Sequence, residues 1–292
     1  MTGKLEQWDI TSSVGLTALG VAAARAVETH RPDPLVRDPF AEEFVRAAKP
    51  PVPLPLRPGD GEEAVWGQCA QYMGLRSRFF DDYFAAATES GVDQVVLLAA
   101  GLDARAYRLD WPSDCDLYEV DQPKVLEFKQ DVLAGLAAEP RCQWHPVPTD
   151  LRDDWAGALA AAGFDPDRPT AWLAEGLLPY LPAQAEEDLF SLVHKLSAPG
   201  SWIAVEVANS RLTKAVLEHP MFRSASASFG VDVGSLWETE PRRDCAEWLR
   251  WAGWTVTTEA VSDAADRYRR PLEGGLNDVM ALGGMVTARR ES

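Results

Sequence analysis

Apolar positions along this chain follow two rhythms. In one, apolar residues recur every three or four positions, as a helix buries one face; in the other, four to six apolar residues run together, as in a parallel strand covered on both sides. The helical rhythm predicts a helix over 13–28, with Leu16, Leu19, Ala23 and Val27 on one face and Ser12 or Ser13 as its cap. A short helix follows over 39–48 and a longer one over 70–90, where Tyr72, Arg76, Phe79, Phe80, Tyr83 and Phe84 form a stripe that Gly91 can end. The apolar runs predict strands at 94–99, 117–120, 142–147, 171–174 and 202–207, separated by helices at 123–136, 153–162 and 183–196. Pro123 suits the first turn of its helix, where the missing amide hydrogen costs nothing.

Strand–helix alternation of this kind implies an α/β fold with a doubly wound, mostly parallel sheet. The ending differs: a helix over 242–252 precedes a strand at 253–259 and another at 278–288, broken by Gly283 and Gly284. With no helix expected between them, these two predict an antiparallel closing pair and a total of seven strands. The segment 50–63 holds five prolines and two glycines and predicts a loop, either a connector or a lid draped over the main domain. The expected organisation is an N-terminal helical cap with this loop over 1–69 and a ligand-binding domain over 70–292, packed as one unit.

The chain has 292 residues, ample for a core without disulfides or metal staples. Hydrophobic residues are 46% and charged residues 25%, which excludes a disordered tail and a membrane bundle. Twenty-eight basic against 45 acidic residues give a net charge of −17, a field that repels phosphate backbones and anionic lipid. Nucleic acid and membrane are therefore not expected partners, and a small molecule is. The first residues show no basic stretch followed by an apolar core, and no apolar run is long enough to span a bilayer, so a cytoplasmic protein is expected. Cys69, Cys115, Cys142 and Cys245 are far apart and read as reduced thiols; four scattered histidines give no metal-site spacing.

Ligands of open α/β sheets bind at the carboxyl ends of the strands, so the residues just past each strand carry the candidate chemistry. After the first strand, Gly101 would let backbone approach a ligand closely or would simply make a turn. Asp121 follows the second strand, 20 residues beyond Gly101. Its carboxylate can accept both hydroxyls of a ribose, cap the next helix, or do both; Glu119, on the same strand face, could share the task. Asp150 and Leu151 follow the third strand, where a carboxylate can accept from an adenine amino group and an apolar side chain can lie on the ring. Glu175 follows the fourth strand and needs a cation or donor, with Arg76, Arg78 or a ligand amine as candidates. One acid past each of three strands, a single-glycine loop and an antiparallel ending favour S-adenosylmethionine over a dinucleotide, because that ligand has no pyrophosphate to cradle.

On the segments SSVGLTALGVAAARA, DPLVRDPFAEEFV, RSRFFDDYF, VVLLAAGLDARAYRL, LYEVDQPKVLEFK, Asp150–Leu151 and AEGLLPYLP, the chain resembles the leucine carboxyl methyltransferase superfamily, in its actinobacterial branch of S-adenosylmethionine-dependent methyltransferases. The resemblance spans nearly the whole chain. It implies that Arg76 or Arg78 holds the methionine carboxylate, Ala100 and Gly101 lie against the methionine part, and Asp121 with Gln122 meets the ribose. It further implies Asp150–Leu151 at the adenine, Glu175 near the methionine amino end or the transferred methyl, and an N-terminal cap that gives the proline-rich loop a lid role. Ala99–Ala100 departs from relatives that carry a second glycine there.

The activity so implied is methyl transfer to oxygen of a small metabolite, a hydroxyl or a carboxylate. His30, His145, His194 and Tyr180 are the candidate bases for a hydroxyl acceptor, unranked. Two rivals stand beside this reading: a non-catalytic binder of the same cofactor, and a nicotinamide-dependent oxidoreductase. The second lacks a glycine-rich fingerprint, and no tyrosine has lysine four residues on.

Overall fold

The computed structural model describes residues 13–60, 63–207, 210–220, 223, 233–272 and 274–291. Ser12, one of the two expected caps, lies outside the described residues, as do Gly61 and Glu62 at the end of the proline-rich stretch. The N-terminal part contains α1 (Ser13–Thr29), α2 (Ala41–Ala48) and α3 (Glu63–Glu89). Then come β1 (Gln94–Leu98), α4 (Arg105–Arg108), β2 (Asp116–Asp121), α5 (Pro123–Gly135), β3 (Gln143–Pro148), α6 (Trp155–Ala161), β4 (Thr170–Ala174), α7 (Ala183–Lys195), β5 (Trp202–Val207) and α8 (Ser210–Glu218). The chain closes with α9 (Cys245–Trp251), β6 (Trp254–Ala260), α10 (Val261–Arg267), α11 (Leu276–Met280) and β7 (Gly284–Arg290).

The seven strands form one sheet in the order β3-β2-β1-β4-β5-β7-β6, and β7 alone runs against both its neighbours. This is the doubly wound α/β sheet with an antiparallel C-terminal strand that the apolar runs predict. β1 and β4 are buried at every position, because they lie at the centre with helices on both faces. One apolar layer packs α1 and α3 against the sheet through residues such as Leu19, Leu75, Phe80 and Leu97. The other packs Trp155, Trp172, Phe190 and Trp248 on the opposite face. Pro123 does open α5, and Asp154 caps α6 by accepting from Gly157 N at 3.0 Å.

Three expectations need correction. Two short helices, α10 and α11, lie between β6 and β7, so the closing pair is antiparallel but is no simple hairpin. Asp278 to Met280 belong to α11, and β7 starts only at Gly284. The third long helix begins at Glu63, before Ala70, and therefore runs straight through the expected boundary between cap and domain. The loop 50–60 drapes over the protein by packing Leu54 and Leu56 on the core, with Asp60 accepting from Leu56 N and Arg57 N.

Candidate active site

Above the carboxyl ends of β1 to β5 lies a cavity of about 500 Å³, roofed by α1 and walled by one face of α3. The first turn into it is made by Ala99 (φ 54°), Ala100 and Gly101 (φ 53°). Only glycine takes the left-handed region without a steric cost, so Ala99 stands where the chain has given up that freedom. A Cβ on Gly101 would point at Ala18 of α1, 3.8 Å away, which shows how near the roof lies. Arg25 of α1 fastens the roof: its Nε pairs with Asp38 Oδ2 at 3.0 Å and its Nη2 donates to the Leu102 carbonyl.

Asp121, at the end of β2, accepts from Gly101 N and from Gln122 N, both at 2.6 Å. Burial pushes its carboxyl above the usual range, against these two donors. Gln122 Nε2 in turn donates to Asp150 Oδ2 at 3.0 Å, and Arg152 binds both oxygens of Asp150. Burial would raise the Asp150 carboxyl, but the Arg152 hydrogen bonds bring it below its ordinary value. Leu151 lines the cavity beside them.

The other half of the rim is an ionic network. Glu175, past β4, pairs with Arg76 Nε at 2.8 Å and with Arg105 Nη1 at 2.7 Å. Arg105 also holds Asp103 and, through Nε at 2.7 Å, Asp81, which binds Arg108 as well. Arg76 Nη1 reaches Glu206 Oε2 at 3.0 Å, and Glu206 accepts in addition from Tyr72 Oη and from Gly176 N. Buried ions survive only when compensated, and here every charge has a partner of opposite sign, in alternation from α3 to β5. Burial opposes ionisation of the Asp103 carboxyl, yet the Arg105 guanidinium beside it brings it down to about 2.

Most of the expected site residues converge here. Arg76, Ala100, Gly101, Asp121, Gln122, Asp150, Leu151 and Glu175 all line the cavity. Arg78 does not: two positions along a helix is about 200° of turn, which puts it on the outer side of α3, half exposed and paired with Asp82 at 2.8 Å. Glu119 does not share the task of Asp121 either, since its fully buried carboxylate is taken by Lys129 Nζ at 2.7 Å. Of the candidate bases only Tyr180 lines the cavity. His30 meets Glu42, His145 meets Asp116, and His194 accepts from Trp254 Nε1 at 3.0 Å. The proline-rich loop contributes no described residue to the lining, so the lid role expected of it is not met there.

Sequence reasoning missed Arg105, Glu206, Tyr72 and Arg25. Glu206 carried the signal that found the other acids, but it sits inside its apolar run and not after it. Tyr72 and Arg76 share one stripe of α3, which already separates Arg76 from Arg78. All four cysteines are free; Cys69 lines the cavity, and burial pushes its thiol up to about 11.

The sequence profile of leucine carboxyl methyltransferases matches residues 18–194, which spans α1 through most of α7 and includes every cavity-lining acid except Glu206. The chain belongs to the leucine carboxyl methyltransferase family. A relative in Saccharopolyspora erythraea, described as an S-adenosyl-L-methionine-dependent methyltransferase, is 50% identical over 291 residues, covering 98% of this chain and 99% of its own. A second, from Streptomyces coelicolor and described in the same way, is 48% identical over 286 residues, covering 96% and 94%. Among solved structures, a DUF574 family protein of Streptomyces avermitilis aligns with a TM-score of 0.55 at 14% identity, over 92% of this chain and 96% of that one. A Thermobifida fusca protein aligns with a TM-score of 0.50 at 18% identity, over 95% and 98%. At such identities the structures speak for the fold of this leucine carboxyl methyltransferase family member and not for its chemistry.

Proposed function

We propose that this chain is a cytoplasmic S-adenosylmethionine-dependent methyltransferase that transfers the methyl group to an oxygen, hydroxyl or carboxylate, of a small molecule. The observation that carries the reading is the charge of the cavity. Five guanidinium groups line it (Arg25, Arg76, Arg105, Arg108 and Arg152) against six carboxylates (Asp38, Asp103, Asp121, Asp150, Glu175 and Glu206). One negative charge is in excess, and the proposed donor carries a sulfonium, an ammonium and one carboxylate, a net charge of +1.

The individual residues suit the parts of that molecule. An ionised carboxylate offers about four lone-pair sites; Asp121 uses two on Gly101 N and Gln122 N, which leaves two for the pair of ribose hydroxyls. Leu151 offers an apolar face to the adenine. Its amino group would take the place on Asp150 now held by Arg152, a side chain 51% exposed and able to swing into solvent. Arg76, with Nε and Nη1 held by Glu175 and Glu206, has no hydrogen bond to Nη2 among the described residues and can offer it to the methionine carboxylate. Glu175, held by Arg76 and Arg105, would face the amino end.

When bound, the cofactor supplies a methyl group on a positively charged sulfur. The protein's own contribution is orientation, which in well-aligned systems contributes on the order of 7–11 kcal/mol. Here rigidity comes from the alternating ion pairs and from α1 closing over the Gly101 turn. No hydroxyl deprotonation by histidine is available in this cavity, since no histidine lines it among the described residues.

Calorimetric titration tests the reading. S-adenosylmethionine and its demethylated product are expected to bind at one site per chain, and nicotinamide dinucleotides are expected not to. Binding of the dinucleotide alone would overturn the assignment. Transfer of labelled methyl to a metabolite extract separates an enzyme from a non-catalytic binder.

A further inference from the structure

Val125, Lys129 and Leu133 follow each other every four residues along the buried face of α5. Val125 and Leu133 suit that face. A lysine between them does not, yet Lys129 is 0% exposed. Its Nζ lies 2.7 Å from Glu119 Oε2, and Glu119 is fully buried as well. Two apolar side chains of similar volume would serve a core as well as such a pair, so stability does not account for it. Neither residue lines the cavity.

Their position relative to Asp121 does account for it. Glu119 and Asp121 are two residues apart on β2, so their side chains leave the sheet on the same face. The ammonium that Glu119 holds is thereby set behind the acid at the end of the strand. Burial raises the Asp121 carboxyl, and the Gly101 and Gln122 amides and then the Lys129 charge work against it. Burial likewise opposes ionisation of Asp103, on the turn after β1, where Arg105 and then Lys129 bring the carboxyl down.

The surrounding charges are otherwise tied up with one another. Asp150, past β3, has the same sign as Asp121 and is held by Arg152. Arg105 of α4 holds Asp103, and Arg108 of α4 binds Asp81. Tyr107 of α4 and Cys142, just before β3, face Glu119. α2 packs on α5 too, and its Arg46 pairs with Glu42 and Glu43 of its own helix. Over the Gly101 turn, Arg25 of α1 pairs with Asp38.

We propose that Lys129 is a positioning residue of the donor site: its buried ammonium, anchored by Glu119, supplies the positive potential in which the Asp121 carboxylate accepts the ribose hydroxyls. The proposal rests on the methyltransferase reading above, with Asp121 at the ribose. Once Gly101 N and Gln122 N are served, only the ionised carboxylate has lone pairs left for both hydroxyls. Cofactor affinity therefore falls as the pH drops through the carboxyl value of Asp121 in the free protein. Loss of the Lys129 charge moves that fall to higher pH.

The test is calorimetric titration of the full chain with S-adenosylhomocysteine across about pH 4 to pH 8. The midpoint of the acid loss of binding is expected to rise by about one pH unit or more in Lys129→Met. It is expected not to rise in Glu119→Gln, which keeps the ammonium. A pair that merely props up the strand would give the same change in both variants. Lys129→Met/Glu119→Gln leaves no orphaned ion in the core and is expected to fold, by circular dichroism, and to show the upward shift. A profile in either lysine variant that superimposes on wild type, or an equal rise in Glu119→Gln, overturns the role of Lys129 and leaves the donor reading standing. Failure of the double variant to fold makes the pair a demand of the core and overturns the role as well. If wild type binds no S-adenosylhomocysteine at any pH, the donor reading is overturned and this proposal with it.

Discussion

Gly74 of α3 and Glu28 of α1 pack so closely that a Cβ on Gly74 would fall 2.5 Å from Glu28 Cδ. Glu28 cannot step aside, because its carboxylate accepts from Leu35 N at 2.6 Å and faces Arg270 in a buried setting. Gly74→Ala is therefore expected to destabilise the protein by about 1–3 kcal/mol, the usual cost of overpacking. Urea unfolding followed by circular dichroism measures it; an unchanged midpoint would show that α1 is free to move off α3.

Arg105 is 2% exposed and holds three carboxylates. Removing one member of a buried ionic set typically costs about 3–5 kcal/mol, since the remaining charges lose their compensation. Arg105→Ala is expected to fall in that range. Arg105→Lys is expected to recover only part of it, because one ammonium cannot reproduce the planar fork that reaches Asp81 and Glu175 together. The same unfolding measurement decides; a lysine variant as stable as wild type would contradict the geometric role of the guanidinium.

Acid stability follows from Asp103. Its folded carboxyl lies at about 2 against an ordinary 3.8, with Arg105 the main cause that overcomes burial. A depressed carboxyl contributes stability that is complete above its unfolded value and disappears as the pH falls through its folded one. At about 1.4 kcal/mol per unit, the contribution is on the order of 2 kcal/mol, lost between about pH 4 and pH 2. In Asp103→Asn the part of the acid-induced decline that belongs to this window is expected to shrink, as read from melting temperatures across pH 2–6.

Asp121→Ala is expected to weaken S-adenosylmethionine binding by more than tenfold in calorimetry, because hydrogen bonds to an ionised group contribute about 1.5–3 kcal/mol each. It also strips Gly101 N and Gln122 N of their acceptor, so its unfolding midpoint should fall while the transition stays cooperative. A variant that binds as wild type would take Asp121 out of the cofactor site.

The parts of this fold that could be read from sequence are those where a single physical demand acts on consecutive residues. β1 and β4 are apolar after their first residues, Gln94 and Thr170, because both faces are covered, and Glu175 just past β4 stands out against that background. Glu206 escaped notice because β5 continues one residue beyond it, so the acid looked like part of a strand. The helices α10 and α11 have seven and five residues, too few turns for an apolar period to show. Arg105 lies only two residues beyond Asp103, and nothing in local spacing tells that its partners come from α3 and from the end of β4. Long-range ion pairing leaves no mark on periodicity; only the assembled rim reveals it.

One face of α3 lines the cavity. Trp66, Cys69, Tyr72, Met73 and Arg76 follow each other at helical intervals and all reach it, Arg76 through its ion pairs with Glu175 and Glu206. A residue inserted between Trp66 and Arg76 would turn everything after it by about 100° and swing Arg76 away from Glu175. The phase of that stretch is thus fixed by the cavity it serves: a length change there keeps the cavity only when it comes close to whole turns.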